Sequence, residues 1–317
     1  MSRVLITGSC SFLASHLIPL LLAANHEVDG IDLHHPESRE TWRMEAFRKH
    51  RAFRYRWGNM AEGGVSRVAV TNNAIWVPDV VIHIGAVTDV RWSLANPSYT
   101  LLTNTQDTVA VMQQCLHFDP RPHFIYVSTH SVYGGGHTQP IAEDVPLHPS
   151  TFYGATKAAS EALVTAFGAE QGLPYTTVRP ALMYGERERP GSLVTNFLGR
   201  AMRSETITLD GGGWQARDMV YGGDVARFIA LITKPGLHYR TLGQVFNAGS
   251  GRAIAIRDLA QWCIDHFRRG QIAEGPQRAG EEGVFYLDNN KAQKLGWRPE
   301  VLFEDGLKLT ADWVETQ

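Results

Sequence analysis

The stretch that decides the fold reads Val4-Leu-Ile-Thr-Gly8-Ser-Cys-Ser11-Phe-Leu-Ala14-Ser-His-Leu17. Its apolar start predicts a buried strand, and a turn of small residues leads directly into a helical pattern. The free N–H groups and the dipole at a helix N-terminus make such a turn a site for a pyrophosphate. A second predicted strand ends in Ile31-Asp32, where an acidic side chain can hydrogen-bond both hydroxyls of an adenosine ribose. Together these features predict a dinucleotide-binding βαβ unit.

The glycine pattern of this turn is incomplete. The dinucleotide pattern Gly-x-x-Gly-x-x-Gly reads Gly8-x-x-Ser11-x-x-Ala14 in this chain. Ala14 still permits close packing of the helix on the strand, whereas Ser11 adds a Cβ where the backbone should approach a phosphate. Taken alone, the stretch leaves a purely structural βα turn open as the alternative.

The rest of the first half alternates strands with helices. Strand-like runs are predicted over residues 3–7, 27–32, 52–57, 79–84, 123–128 and 175–179. Crossover-length segments between them indicate βαβ units, and the continuous apolar run Val80-Val-Ile indicates strands buried on both faces. The predicted fold class is therefore α/β, a doubly wound parallel sheet. After Pro180, glycine- and proline-containing loops interrupt the helical stretches, which predicts a smaller and less regular C-terminal unit.

The composition is that of an ordinary globular chain. Of its 317 residues 44% are hydrophobic, and 30 Lys+Arg against 32 Asp+Glu leave a formal net charge of −2. This balance argues against nucleic acid or an acidic membrane surface as a partner. Cys10, Cys115 and Cys263 lack the spacings of a metal site, so no metal is expected. We expect a cytoplasmic protein, because the N-terminus runs directly into a strand and no apolar run reaches the length of a membrane span.

Eight motifs occur in order along nearly the whole chain. They are Thr7-Gly8 with Phe12-Leu13, Asp79-Val-Val-Ile-His83-Ile-Gly85-Ala86, Ser128-Thr129-His-Ser-Val-Tyr133-Gly134, Tyr153-Gly-Ala-Thr-Lys157, Arg179-Pro180, Arg217-Asp218-x-Val220, Phe246-Asn247-x-Gly249 and Leu295-Gly296-Trp297. They resemble the motifs of the extended short-chain dehydrogenase/reductases, and within these the NAD-dependent nucleotide-sugar epimerase/dehydratase family. The resemblance implies a Rossmann-type NAD-binding domain over residues 1–180, with a contribution from about 217–250. It also implies a smaller C-terminal α/β domain over residues 181–317 that binds a nucleoside-diphosphate sugar.

The resemblance further implies which residues bind NAD. Gly58-Asn59-Met60 is similar to the family's Gly-Asp-[Ile/Leu], whose acidic side chain meets the adenine, and Asn59 keeps the capacity to hydrogen-bond there. Asp32 would repel the 2′-phosphate of NADP, which favours NAD. The predicted cofactor-binding residues are Gly8, Ser11, Phe12, Leu13, Asp32, Asn59, Met60, Ile84, Gly85, Ala86, Asn104, Tyr153, Lys157 and Pro180.

Tyr153 and Lys157 carry the predicted chemistry. Residues four apart lie on one face of a helix, and a nearby ammonium favours the phenolate form of a tyrosine, whose ordinary pKa is ~10. Tyr153 can then take a proton from a sugar hydroxyl while hydride leaves the same carbon for a nicotinamide ring. A lone Tyr-x-x-x-Lys is common on helix surfaces, but the resemblance adds Thr129, which would hydrogen-bond the reacting oxygen. The predicted catalytic residues are Thr129, Tyr153 and Lys157.

The two residues after Thr129 bear on the type of reaction. In the family, 4,6-dehydratases carry an Asp-Glu pair there for eliminating water across C5 and C6, whereas this chain has His130 and Ser131. The predicted activity is therefore that of a 4-epimerase acting by transient oxidation at C4. A dehydratase or 4-keto reductase of the same family is the enzymatic alternative, and a dinucleotide-binding protein without turnover is the alternative from another class.

Two arginines are implied for the substrate diphosphate. Arg217 and Arg278 match family arginines that contact it, and a guanidinium suits phosphate. Leu182 stands where the family often has an asparagine, so Asn196 on the following helix is the predicted substitute donor. The predicted substrate-binding residues are Thr129, His130, Asn196, Arg217 and Arg278.

A homodimer is the expected assembly. Helical stretches predicted near 97–116 and 153–169 carry substantial apolar faces. In the family, the equivalent pair of helices builds a four-helix dimer interface. A small-molecule nucleotide sugar and a second copy of the chain are therefore the predicted partners.

Overall fold

The computed structural model describes residues 1–64, 70, 71, 74–277 and 283–317. Its strands are β1 (Arg3–Thr7), β2 (Glu27–Asp32), β3 (Phe53–Trp57), β4 (Val70–Thr71), β5 (Ala74–Ile75), β6 (Val80–His83), β7 (His123–Val127), β8 (Tyr175–Pro180), β9 (Leu182–Tyr184), β10 (Thr206–Asp210), β11 (Ala216–Tyr221), β12 (Gln244–Ala248), β13 (Ala253–Ala255), β14 (Gln271–Gly275) and β15 (Val284–Phe285). Its helices are α1 (Phe12–Ala23), α2 (Val90–Ala95), α3 (Pro97–Leu101), α4 (Asp107–Cys115), α5 (Phe152–Gln171), α6 (Leu193–Met202), α7 (Gly222–Ile232), α8 (Ile256–Phe267), α9 (Asn290–Gln293) and α10 (Phe303–Val314).

The first of two compact units comprises residues 1–134, 146–180 and 226–246. Its sheet has seven strands in the order β12-β8-β7-β6-β1-β2-β3. The pairings from β8 to β3 are all parallel, and Leu5 on β1 lies opposite Asp29 on β2 and Val81 on β6. The predicted doubly wound α/β fold of Rossmann type is thereby confirmed.

The core of this unit lies on the central strands. Every residue of β6 and β7 is buried, as expected for strands covered by helices on both faces. Phe124 and Tyr126 of β7 belong to one apolar cluster with Val111 and Met112 of α4. The six predicted strand runs agree with β1, β2, β3, β6, β7 and β8 to within one residue at each end.

The second unit comprises residues 135–145, 181–225 and 247–317. It is more regular than the sequence predicted, because β11 pairs with β13 antiparallel and with β9 and β15 parallel, while β10 and β14 form a separate parallel pair. These strands have two to six residues each, too few to show a periodic pattern in the sequence. Leu198, Leu209, Leu259 and Leu307 lie in the core of this unit.

Candidate active site

Gly8 directly follows β1 and lies against Gly85, which comes shortly after β6. Its φ is +72°, a conformation that favours glycine. A Cβ at this position would lie 2.6 Å from the Gly85 nitrogen and 2.7 Å from the Gly85 Cα. The Gly8 N–H donates to the Ile31 carbonyl at 2.9 Å, which ties the turn to the end of β2. Backbone contacts on both sides therefore require glycine here.

Ser11 is the N-cap of α1, which the sequence analysis did not anticipate. Its backbone is extended, with φ −73° and ψ 163°, and its hydroxyl accepts from the Ala14 N–H at 3.3 Å. The predicted cofactor residues Phe12 and Leu13 open the helix directly after it. Ser11 thus needs no glycine conformation, and it satisfies one of the unpaired N–H groups at the helix start.

Asp32 stands at the end of β2 and binds the same turn. One carboxylate oxygen accepts from the Cys10 N–H at 2.9 Å and the other from the His34 N–H at 3.2 Å. Burial and the Asp32 charge raise the pKa of the Cys10 thiol to about 12, so this cysteine stays a protonated, buried side chain. The carboxylate predicted for the adenosine ribose is therefore held beside the pyrophosphate turn.

A cavity of about 360 Å³ lies at the ends of β2 and β3. Its lining is Ile31, Tyr55, Arg56, Trp57, Gly58, Asn59 and Glu62. Asn59 Oδ1 accepts from the Ala61 N–H at 2.9 Å, and its Nδ2 donates to Glu62 at 3.2 Å. The neighbouring Met60 lies against the segment after β6, because a Cβ on Gly85 would lie 2.9 Å from the Met60 sulfur. The structure thus places Asn59, Met60, Gly85 and Gly8 at the carboxyl ends of the parallel strands.

Asn104 holds the backbone of the segment that follows β6. It is fully buried in a π-helical turn, Leu102–Gln106, between α3 and α4. Its Oδ1 accepts from the Val87 N–H at 2.7 Å, and its Nδ2 donates to the Val87 carbonyl at 3.0 Å and to Thr156 at 3.0 Å. Both hydrogens of the Asn104 amide donate to protein atoms, which leaves no donor for a cofactor. This side chain therefore supports the segment after Ile84-Gly85-Ala86.

Tyr153 and Lys157 lie on α5, whose N-cap is Thr151. Both side chains are buried, Tyr153 with 8% and Lys157 with 2% exposure. The Lys157 ammonium donates to the Val127 carbonyl at 2.7 Å and lies 4.2 Å from the centre of the Tyr126 ring. Burial lowers the pKa of Lys157 to about 7.

Thr129 lies in the turn after β7, and Gly154 brings the start of α5 against that turn. A Cβ on Gly154 would lie 2.5 Å from the Ser131 carbonyl oxygen. Within the turn, the Ser131 N–H and Thr129 Oγ1 are 3.2 Å apart. Thr129 and Tyr153 therefore belong to two elements in direct backbone contact. Gly154 is part of the Tyr153–Lys157 motif, but nothing in the sequence indicates this contact.

His130 lies beside another predicted cofactor residue. Its Nδ1 is 3.3 Å from the carbonyl oxygen of Pro180, at the end of β8. Neither it nor Ser131 is a carboxylic acid. The turn that carries Thr129 thus presents an imidazole and a hydroxyl at these two positions.

His83 completes the surroundings of Lys157. Its ring nitrogens lie 2.7 Å from the Thr7 hydroxyl and 2.9 Å from the Thr108 hydroxyl, and its ring stacks on Tyr126. Burial and the nearby Lys157 charge lower the pKa of His83 to about 3, so the imidazole is neutral at neutral pH. His83 belongs to the motif of the β6 strand, but its place beside Lys157 is not evident from the sequence.

In the second unit, Arg217 is half-buried on β11, and its Nη1 donates to the Ala216 carbonyl at 3.0 Å. The adjacent Asp218 is 1% exposed and accepts from the Ser250 N–H at 2.6 Å and the Leu287 N–H at 3.0 Å. Asp218 thus holds two loops beside the strand, a role the sequence did not reveal. Asn196 is half-buried on α6, and Arg278 lies outside the described residues.

No group of three or more His, Cys, Asp or Glu side chains in the described ranges could hold a metal ion. Within those same ranges, no helix combines the length and hydrophobicity that crossing a membrane requires.

The chain belongs to the NAD dependent epimerase/dehydratase family, whose model matches residues 4–249. The low-salt glycan biosynthesis protein Agl12 of Haloferax volcanii is 28% identical to it, over 98% of this chain and 97% of that protein. The dTDP-glucose 4,6-dehydratase DesIV of Streptomyces venezuelae, solved with NAD, superimposes with a TM-score of 0.88 at 27% identity, covering 99% of this chain and 97% of that one. UDP-glucose 4-epimerase of Thermotoga maritima, solved with UDP-glucose, gives 0.86 at 28% identity and covers 99% of both chains.

These findings confirm the predicted family and its cofactor, NAD. The described residues fit that cofactor: the turn after Gly8 leads directly into the N-terminus of α1, a suitable site for a pyrophosphate, and Asp32 places a carboxylate beside this turn. The relatives include both an epimerase and a dehydratase, so the class is that of NAD-dependent nucleotide-sugar epimerases and dehydratases.

Proposed function

We propose that this protein is an NAD-dependent nucleotide-sugar 4-epimerase. The observation that carries the proposal is the turn after Thr129, where His130 and Ser131 stand in place of a carboxyl pair. Elimination of water needs one group to remove the C5 proton and a second to protonate the departing C6 hydroxyl. His130 can act as one such group, but the Ser131 hydroxyl cannot act as the other at neutral pH. Oxidation and re-reduction at C4 need neither.

Tyr153 is the proposed base. Its phenol is buried one helical turn from the Lys157 ammonium, whose positive charge favours the phenolate. It removes the proton of the C4 hydroxyl and later returns it to the new hydroxyl. Thr129 donates a hydrogen bond to the same oxygen and fixes its direction. Bound NAD would supply the acceptor and donor for the C4 hydride, and inversion at C4 requires the 4-keto sugar to turn over in the site between the two transfers.

The first unit is proposed to bind NAD and the second the nucleotide sugar. Gly8, Ser11 and the start of α1 supply the turn for the pyrophosphate, Asp32 the ribose partner, and the cavity beside Asn59 the space for the adenine. Arg217 and Arg278 are proposed for the substrate diphosphate, with Asn196 as a further donor. The remaining members of the predicted site, Phe12, Leu13, Met60, Ile84, Gly85, Ala86, His130 and Pro180, are proposed contacts to cofactor or sugar.

The reaction type is tested by the product made in heavy water. Purified protein is incubated with UDP- and dTDP-hexoses, and products are followed by mass spectrometry and proton NMR. We expect an isomer of the substrate without deuterium at C5, and without deuterium at C4 because the hydride does not exchange with water. A Tyr153→Phe sample treated in parallel should yield no isomer. A product lighter by one water, or deuterated at C5, would instead identify a dehydratase.

A homodimer is proposed from two surfaces of the first unit. On and near α3, Tyr99, Leu101 and Leu102 are 49%, 50% and 45% exposed. On α5, one face presents a row of exposed alanines, namely Ala155, Ala159, Ala162, Ala166 and Ala169. Small side chains at this spacing allow a second helix to approach closely, and burying both surfaces removes apolar area from water.

We expect light scattering to give a mass of about twice 35.2 kDa. Ala162→Arg introduces a long charged side chain into the alanine row, so it should convert the dimer to a monomer. The matched control is Asp312→Arg, which places the same side chain at an exposed position of α10. A monomeric wild type, or a dimer unaffected by Ala162→Arg, contradicts the proposal.

A further inference from the structure

Glu161 continues the catalytic face of α5. It lies one helical turn beyond Lys157 and two turns beyond Tyr153, so the three side chains share one side of the helix. Although it is a carboxylate, Glu161 is only 5% exposed. Neither the proposed reaction nor the cofactor site assigns it a role.

The Glu161 carboxylate is held by Arg179, which is itself 4% exposed at the end of β8. The Arg179 Nε lies 3.0 Å from Oε1, and Nη2 lies 2.6 Å from Oε2. Arg179 Nη1 also donates to the Tyr133 hydroxyl at 2.8 Å, and its guanidinium lies 4.8 Å from the Tyr133 ring centre. The forked pairing leaves the carboxylate no freedom to turn away.

Stability alone is a weak reason for this ion pair. Replacing a buried salt bridge by well-packed apolar side chains is often neutral or stabilising. The elements that carry this ion pair also carry the proposed site. Glu161 is on α5 with Lys157, and Arg179 directly precedes Pro180. Tyr133, the further partner of Arg179, follows the Thr129 turn. Its position therefore points to an electrostatic function next to Lys157.

The groups that face Lys157 come from four elements. On its own helix they are Tyr153 and Glu161. β7 contributes the Tyr126 ring and the Val127 carbonyl. β6 contributes the neutral His83. β8 contributes Arg179, which acts on Lys157 through its ion pair with Glu161. Burial raises the pKa of Tyr126 well above its ordinary value, so that phenol carries no charge. Within this described group, the negative charge is that of Glu161.

We propose that Glu161 is a positioning residue whose carboxylate, fixed by Arg179, keeps the buried Lys157 ammonium charged and so sets the acidity of Tyr153. The inference rests on the proposed use of Tyr153 as base. Burial lowers the pKa of Lys157, and the charge of Glu161 opposes that shift. Without the carboxylate, the positive charge of Arg179 would no longer be offset by Glu161 and would further disfavour the ammonium.

The test measures Lys157 directly and needs no turnover. The chain has six lysines, so protein carrying lysine labelled with ¹³C at Cε gives few signals, and Lys157→Met identifies the one of interest. In wild type we expect a titration near pH 7. In Glu161→Gln the midpoint should fall by about one unit or more, whereas Glu161→Asp, which keeps the charge but shortens the side chain, should stay close to wild type.

A merely structural role predicts a different pattern. Both variants would then lower the melting temperature, and neither would move the Lys157 titration, which would overturn the proposal. If Glu161→Gln fails to fold, the double variant Glu161→Gln/Arg179→Gln removes both buried charges and should still lower the Lys157 pKa. An unchanged Lys157 titration in that double variant would equally contradict the inference.

The pH dependence of turnover supplies a second measurement. With a less charged Lys157, Tyr153 ionises at higher pH, so the acid limb of the rate profile should move upward in Glu161→Gln and not in Glu161→Asp. If no sugar nucleotide is turned over at all, the proposed epimerase function fails, while the titration of Lys157 still decides the role of Glu161.

Discussion

Tyr153→Phe is expected to lower turnover by about 10²–10⁴-fold, the range that a positioned general base contributes. The substitution removes one oxygen and keeps the buried ring, so folding and NAD affinity should stay close to wild type. Turnover is measured with the sugar nucleotide that gives an isomer, and NAD affinity by titration calorimetry.

The matched control is Tyr239→Phe, the same chemical change at a position that is 72% exposed and outside the proposed site. It should retain wild-type turnover. If Tyr153→Phe also turned over at the wild-type rate, Tyr153 could not be the base, and the assignment of Lys157 and Glu161 to its support would fall with it.

Gly8→Ala is expected to have the largest effect on the cofactor site. Alanine at a φ of +72° costs about 1–2 kcal/mol, and its Cβ would meet the Gly85 backbone at 2.6 Å, which no side-chain rotation relieves. Moving the Gly8 and Gly85 backbones apart would raise the free energy of the folded state by about a further 1–3 kcal/mol. We expect NAD affinity to fall about 100-fold, equal to about 2.7 kcal/mol.

Gly236→Ala separates the cost of a positive φ from the cost of the contact with Gly85. Gly236 has a φ of +89° but nothing within 4 Å of an added Cβ. It should lower the free energy of unfolding by about 1–2 kcal/mol and leave NAD affinity unchanged. Urea unfolding and NAD titration of both variants check this. Equal effects of the two substitutions on NAD affinity would show that the contact between Gly8 and Gly85 is unimportant.

Under the proposed function, His130 and Ser131 after Thr129 are the residues that favour an epimerase in a family that contains both kinds of enzyme. A dehydratase and an epimerase superimpose on it almost equally well, with TM-scores of 0.88 and 0.86. Overall similarity therefore does not choose between the reactions. We propose that the choice depends on which side chains can exchange protons at C5 and C6, and that His130 and Ser131 are the residues of this chain that bear on it.

The sequence by itself determined the features that depend on local spacing. Alternation of strands and helices predicted the parallel sheet, because the period of a strand and that of a helix are visible over five to fifteen residues. The four-residue spacing of Tyr153 and Lys157 put them on one helix face for the same reason. The turn at Gly8 and the carboxylate at Asp32 followed from the order of strand, turn and helix.

Only the tertiary structure decided which distant residues meet. Asn104 and Thr156 are 52 positions apart and hydrogen-bonded, and Gly154 touches the Ser131 backbone. The pairing of Glu161 with Arg179 and the strands of the second unit depend on chain segments packed together from separate parts of the sequence. Such contacts leave no periodic signal, because their geometry is set by the packing of whole elements and not by the residues on either side.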